Sequence, residues 1–174
     1  VKQRMELSKK GGENCDILVM SATPIPRTLI MTFYGDMDVS KLTEKPSYRK
    51  EIISLSKPEI KINEVIKFIK KEITNKNQIF WVCPLIDVSK KLDYEAAVQK
   101  FEYLNKVFTG KVGLIHGSLK NEQKEIVLKN FLDKKIQILV STTVIEVGID
   151  FPNANVIVIE NSNKFGLSQL HQLR

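Results

Sequence analysis

From Ile60 onward the apolar positions fall into two patterns that take turns along the chain. Ile62, Val65, Ile66, Ile69 and Ile73 recur at helical spacing, which makes one face of a helix apolar. Asn75-Lys76-Asn77 breaks that repeat, and the apolar run from Gln78 to Ile86 then reads as a buried strand. The alternation repeats. Tyr94, Ala97, Val98, Phe101, Leu104 and Phe108 mark a helix that Gly110 ends, and the strand from Lys111 to Ile115 follows. Ile126, Val127 and Phe131 mark a third helix, Ile136 to Val140 a third strand, Asn155 to Ile159 a fourth, and Gly166 to Leu173 opens a last helix. Strands apolar on both faces belong inside a sheet, and helices that alternate with them make the sheet parallel. Residues 57–174 are therefore predicted to form one α/β lobe, a doubly wound parallel sheet with helices on both faces.

The first part of the chain does not fit that lobe. Asp16 to Met20 reads as one strand, followed by Thr23 as N-cap and Pro24 at the first position of a helix that turns Leu29, Ile30 and Phe33 inward. One strand and one helix cannot enclose a core. Residues 1–46 are thus expected to be the remnant of a preceding domain, with 47–56 as the linker. The opening Val1-Lys2-Gln3-Arg4-Met5 lacks both an initiator Met and the apolar core of a secretion signal, and reads as the start of an excised segment.

Composition changes this picture little. With 43% apolar and 27% charged residues in 174, the chain reads as a globular protein, and no apolar run is long enough for a membrane span, so a cytoplasmic location is expected. Cys15 and Cys83 show neither metal-ligand nor disulfide spacing and are expected to be reduced thiols. The formal charge of +7 favours a polyanionic partner. However, the cations are mostly Lys spread over helix surfaces, with Arg only at 4, 27, 49 and 174, so a solvated surface explains them equally well.

Four segments stand out for chemistry: Ser21 to Thr28, Leu114 to Gly117, Ser141 to Asp150 and Gln169 to Arg174. An α/β sheet places ligands at the carboxyl ends of its strands, where hydroxyls and free N–H groups meet an anion. Ser141, Thr142 and Thr143, ending a strand before a helix, can donate to phosphate oxygens without reading base sequence. Gly148 permits a tight turn, and Asp150 can accept from a sugar hydroxyl. Each also has a purely structural reading: Ser-Thr-Thr as an N-cap cluster, Gly148 and Asp150 as an ordinary turn, His116 as a core histidine, and Ser21 to Thr23 as a helix start.

Taken in order, these segments resemble motifs III, IVa, V and VI of superfamily 2 helicases. The stretches from Ser21 to Leu29, Tyr34 to Ser40, Val82 to Ile86, Thr142 to Asp150 and Phe165 to Arg174 resemble the RecG-like branched-DNA helicases over nearly the whole chain. The transcription-repair coupling translocases are similar in the first and last blocks; the wording of Tyr34 to Ser40 and Val82 to Ile86 favours the RecG-like group. The resemblance implies a RecA-like second motor lobe that works with a first RecA-like lobe and a wedge domain on branched or forked DNA. It implies that Ser21, Thr23 and Gln172 couple ATP state to lobe movement, and that Gly148, Asp150 and Gln172 approach the nucleotide. It further implies that His116, Gly117, Ser141, Thr142 and Thr143 hold the DNA backbone.

The departures bear on activity. These 174 residues contain no G-x-x-x-x-G-K-[ST] cradle and no acidic pair to hold Mg²⁺, and the family's last block continues with two arginines past Arg174. ATP and Mg²⁺ are expected in the parent protein, none is expected to bind the segment alone, and no metal site is expected. The alternative is a non-enzymatic nucleic-acid-binding α/β module.

Overall fold

The computed structural model describes residues 51–84, 90–142, 151 and 153–173, together with Leu18, Met20 and Ser40; over 90–94 the backbone alone is described. The chain divides into two units, Val1–Lys50 and Glu51–Arg174, and the second carries every element discussed below.

A single 3-10 turn at Glu59–Lys61 leads into helix α1, Ile62–Thr74. Among the described residues the unit continues with strand β1 (Gln78–Cys83), helix α2 (Lys90–Val107), strand β2 (Val112–Ile115), helix α3 (Asn121–Leu132), strand β3 (Ile138–Thr142), strand β4 (Ala154–Ile159), a second 3-10 turn (Ser162–Lys164) and helix α4 (Leu167–Leu173). The four strands form one sheet in the order β2-β3-β1-β4, every pair parallel. The predicted α/β class and the helix-strand alternation are thus observed. Among the described residues, no helix is long and apolar enough to cross a membrane.

Period-two alternation divides the core into two layers. Ile79, Trp81 and Cys83 of β1, Val112 of β2, and Ile138 and Val140 of β3 point to one face. There they meet Ile66, Ile69 and Ile73 of α1 and Leu104 and Phe108 of α2. Ile115, Leu139 and the half-buried Phe80 point to the other, against Phe131, Val127 and Leu128 of α3. On that second face, Phe80, Phe131 and Phe151 pack with ring centroids 5.2 to 5.4 Å apart in tilted and edge-on geometry. Helices therefore cover both faces. Gly113 of β2 lies under this layer, where an added Cβ would run into Ile136 and come within 3.0 Å of Val127.

Two expectations need correction. The third strand does not span Ile136 to Val140 but Ile138–Thr142, because its ladder with β1 continues through the pairs Val82 with Ser141 and Cys83 with Thr142. Ile136 instead reaches the α3 layer. Ile126, read with Val127 and Phe131 as marking the third helix, does not share their burial: it is 60% exposed, since Val127, Leu128 and Phe131 already fill the inner face.

The amino end of the sheet is closed by glutamines and by helix caps. Buried Gln78 donates through Nε2 to the carbonyls of Phe131 and Ile136, and Gln137 donates to the Ile73 carbonyl at 3.2 Å. Each side chain thus satisfies a helix-end carbonyl that lacks an intrahelical partner. After α1, Lys76 N–H bonds to Ile73 O and Asn77 N–H to Glu72 O; after α3, Lys134 N–H bonds to Phe131 O and Lys135 N–H to Asn130 O. These are paired Schellman closures. They place Lys76 and Lys134 at φ of 62° and 60°, while Gly110 takes 73° after α2, as its role as a helix stop predicts.

Candidate nucleic-acid interface

Parallel register fixes what meets at the carboxyl end of the sheet. Cys83 pairs with Thr142, Ile115 with Ser141 and Ile159 with Val82. The next residue on each edge strand extends the row, so Glu160, Cys83, Thr142 and His116 lie side by side across four strand ends. Two of the sequence-predicted DNA contacts, His116 and Thr142, thereby come onto neighbouring strands although 26 positions separate them.

The two hydroxyls are not on the surface. Ser141 and Thr142 are 1% and 3% exposed, and Ser141 Oγ has no hydrogen-bond partner among the described residues. An orphaned hydroxyl at this depth costs about 1–3 kcal/mol, so the strand end carries an unmet polar demand. Gly117, by contrast, is exposed in the turn after β2, which Leu119 N–H closes on the His116 carbonyl at 3.2 Å. His116 itself is buried to 9% exposure. Burial, and secondarily the Lys124 ammonium on α3, hold its imidazole below the usual histidine range, so it is neutral at pH 7.

At the other end of the row, Glu160 gathers a polar cluster. One carboxylate oxygen accepts from Trp81 Nε1–H at 3.0 Å and from the Cys83 thiol at 3.8 Å, and the other meets Lys100 Nζ at 2.7 Å. The Lys100 ammonium also lies 5.4 Å from the Trp81 ring centroid and 5.5 Å from that of Tyr103. With about a fifth of each charged side chain exposed, the pair is well shielded from water. Burial first, and then the Glu160 charge, push the Cys83 thiol up to about 12, so it stays protonated and is no nucleophile. The cluster ties α2, β1 and the end of β4 together just before the 3-10 turn Ser162–Lys164 and α4. At the start of α4, Gln169 Oε1 accepts from Gly166 N–H at 2.9 Å.

Gln172 is exposed on α4. Ser21, Thr23, Thr143, Gly148 and Asp150 lie outside the described residues. Sequence reasoning missed Glu160, Lys100 and Trp81 as a group. A signal existed, since Val156, Val158 and Glu160 share one face by strand parity, which puts a carboxylate beside half-buried apolar neighbours. Nothing in the helix period singles out Lys100 among the lysines.

The helicase conserved C-terminal domain family matches residues 60–174. The chain is 52% identical over its full length to the ATP-dependent DNA helicase RecG of Thermotoga maritima, covering 22% of that protein. It is 46% identical over its full length to RecG of Bacillus subtilis, covering 26% of it. A crystal structure of the C-terminal part of the Fun30 ATPase domain superposes with a TM-score of 0.39 at 16% identity, over 65% of this chain and 44% of that one. The chain thus spans about a quarter of the length of the helicases it matches.

Proposed function

This chain belongs to the helicase conserved C-terminal domain family, and on that premise we propose that it is the second motor lobe of an ATP-dependent, RecG-like DNA helicase acting on branched DNA. The observation that carries the proposal is the row of strand ends, which sets His116 and Gly117 beside Ser141 and Thr142 at the edge where a parallel sheet receives its ligands. Burial divides the labour among them. Ser141, Thr142 and His116 hold the strand ends in place from within, while the exposed Gly117 backbone takes phosphate oxygens; Thr143, next in sequence, is proposed to join it as a hydroxyl donor. Backbone and hydroxyl donors of this kind position a nucleic acid without reading its bases. A neutral His116 suits that role, since it adds no charge that pH could remove near pH 7.

In the whole protein, which is proposed to use ATP with Mg²⁺, the nucleotide would sit against Gly148, Asp150 and Gln172, and Ser21, Thr23 and Gln172 would couple it to lobe movement. When bound, the nucleotide supplies the free energy for translocation. The 174 residues alone lack a G-x-x-x-x-G-K-[ST] cradle, so they are proposed to bind DNA weakly and to hydrolyse no ATP. Cytoplasmic location, a first RecA-like lobe and a wedge domain belong to the same proposal.

The test is titration of the chain with forked DNA at low salt, followed by fluorescence anisotropy. Thr143→Ala is expected to weaken binding about tenfold, and Lys67→Ala to leave it unchanged. Equal losses from both would show diffuse charge attraction and overturn the assignment.

A further inference from the structure

The opposite end of the sheet carries a second feature that the motor reading does not use. A groove of about 310 Å³ runs between the carboxyl-terminal turns of α1 and α2, lined by Lys70, Ile73, Thr74, Val107, Phe108, Thr109 and Lys111. Its floor is apolar, and its rim carries the exposed Lys70 and Lys111. Thr74 donates its hydroxyl proton to the Lys70 carbonyl, which leaves Lys70, Lys111 and Thr109 as the rim's donors.

The groove opens onto a basic edge. Lys111 N-terminal to β2, Lys134 and Lys135 N-terminal to β3, and Lys76 N-terminal to β1 are all exposed. Nearby acids offset part of this charge: Asp133 meets Lys135 at 3.6 Å, and the Glu72 carboxylate, which accepts from Asn77 at 2.6 Å, stands near the end of α1. Neighbouring strands lie about 4.8 Å apart, so these lysines spread over about 10 Å. That is the axial length of about three phosphates on one DNA strand at roughly 3.4 Å each.

Complementing the negative ends of three helices explains a lysine near each of them. It does not explain lysine at Lys76 and Lys134, whose φ of 62° and 60° suits glycine or asparagine better. Two cations held at such positions along the amino-end edge, Lys76 after α1 and Lys134 after α3, indicate a demand on the surface itself. We propose that this amino-end edge is a second contact for the phosphate backbone of duplex DNA, on the opposite end of the lobe from the strand-end site, with Lys70 and Lys111 as its centre. An arm of DNA held there would be held independently of the first contact.

The proposal is tested on the 174-residue chain with a blunt 20-base-pair duplex, by anisotropy across a salt series. Lys70→Gln with Lys111→Gln is expected to weaken binding at low salt about tenfold and to flatten the slope of log K against log salt by roughly two, one phosphate contact per lysine. The control pair Lys57→Gln with Lys164→Gln, which removes the same charge and is exposed away from this edge, is expected to change the slope by less than one such step. Unfolding temperatures of all variants identify any that fail to fold, and Lys134→Gly, which removes a cation while relaxing the backbone, serves as the second variant. It is expected to bind duplex more weakly while unfolding at a higher temperature. An unchanged slope in both the groove pair and Lys134→Gly overturns the proposal, as do equal losses from the control pair. So does loss of binding to polyglutamate with duplex binding intact, which would assign the groove to an acidic peptide.

Discussion

His116 and Glu160 show how single side chains set the behaviour of the strand ends. Because burial and Lys124 depress the His116 pKa, the folded state resists protonation that the unfolded chain accepts at about the ordinary 6.5. Its contribution is therefore complete above 6.5 and is lost as pH falls below that value toward the lowered folded pKa. Urea unfolding of the chain between pH 7.5 and 5 is expected to show declining stability, and His116→Gln is expected to flatten that decline. A decline unchanged by the substitution would move its cause elsewhere. Glu160 answers three donors at once, so Glu160→Gln removes the ion pair with Lys100 while leaving an oxygen for Trp81. The expected cost is about 1–3 kcal/mol in unfolding free energy, with a shift in Trp81 emission. The same substitution in a Lys100→Met background should cost less, because the ammonium that would be left unpaired is already gone. Equal costs in both backgrounds would mean that the two groups do not interact.

At the scale of elements, the sequence predicted what periodicity can carry and missed what pairing decides. The inner face of α1 was legible because Ile66, Ile69 and Ile73 recur at 3.6-residue spacing. The stop at Gly110 was legible because only glycine takes φ of 73° at no cost. The end of β3 was not legible. Ser141 and Thr142 look like a loop after an apolar run, yet β1 pairs with them to its own last residue and draws them inside. The caps after α1 and α3 were hidden for the opposite reason, since lysine gives no hint of a left-handed backbone. Replacing that lysine with glycine at position 134 is expected to stabilise the chain by about 1 kcal/mol by removing the cost of a Cβ in that conformation. Thermal unfolding checks this, and a drop in unfolding temperature would mean that the Lys134 side chain contributes more than its backbone costs.

For the molecule as a whole, the strand order β2-β3-β1-β4 separates two ends with different chemistry. Hydroxyls, an imidazole and a shielded ion pair meet at the carboxyl end, while glutamine-capped helix ends and lysines meet at the amino end. The linear chain already determined the α/β class, the alternation of elements, the absence of a phosphate cradle and the motif order that places it among helicase C-terminal domains, because each depends on residues close together in sequence or on their order alone. Only the folded arrangement decided that Thr142 stands beside His116, that Lys100 finds Glu160 across 60 residues, and that Lys70 faces Lys111 over a groove. Those meetings depend on which strands become neighbours and in what register. Register is fixed by burying complementary apolar faces across the whole sheet, a condition that no local window of sequence contains.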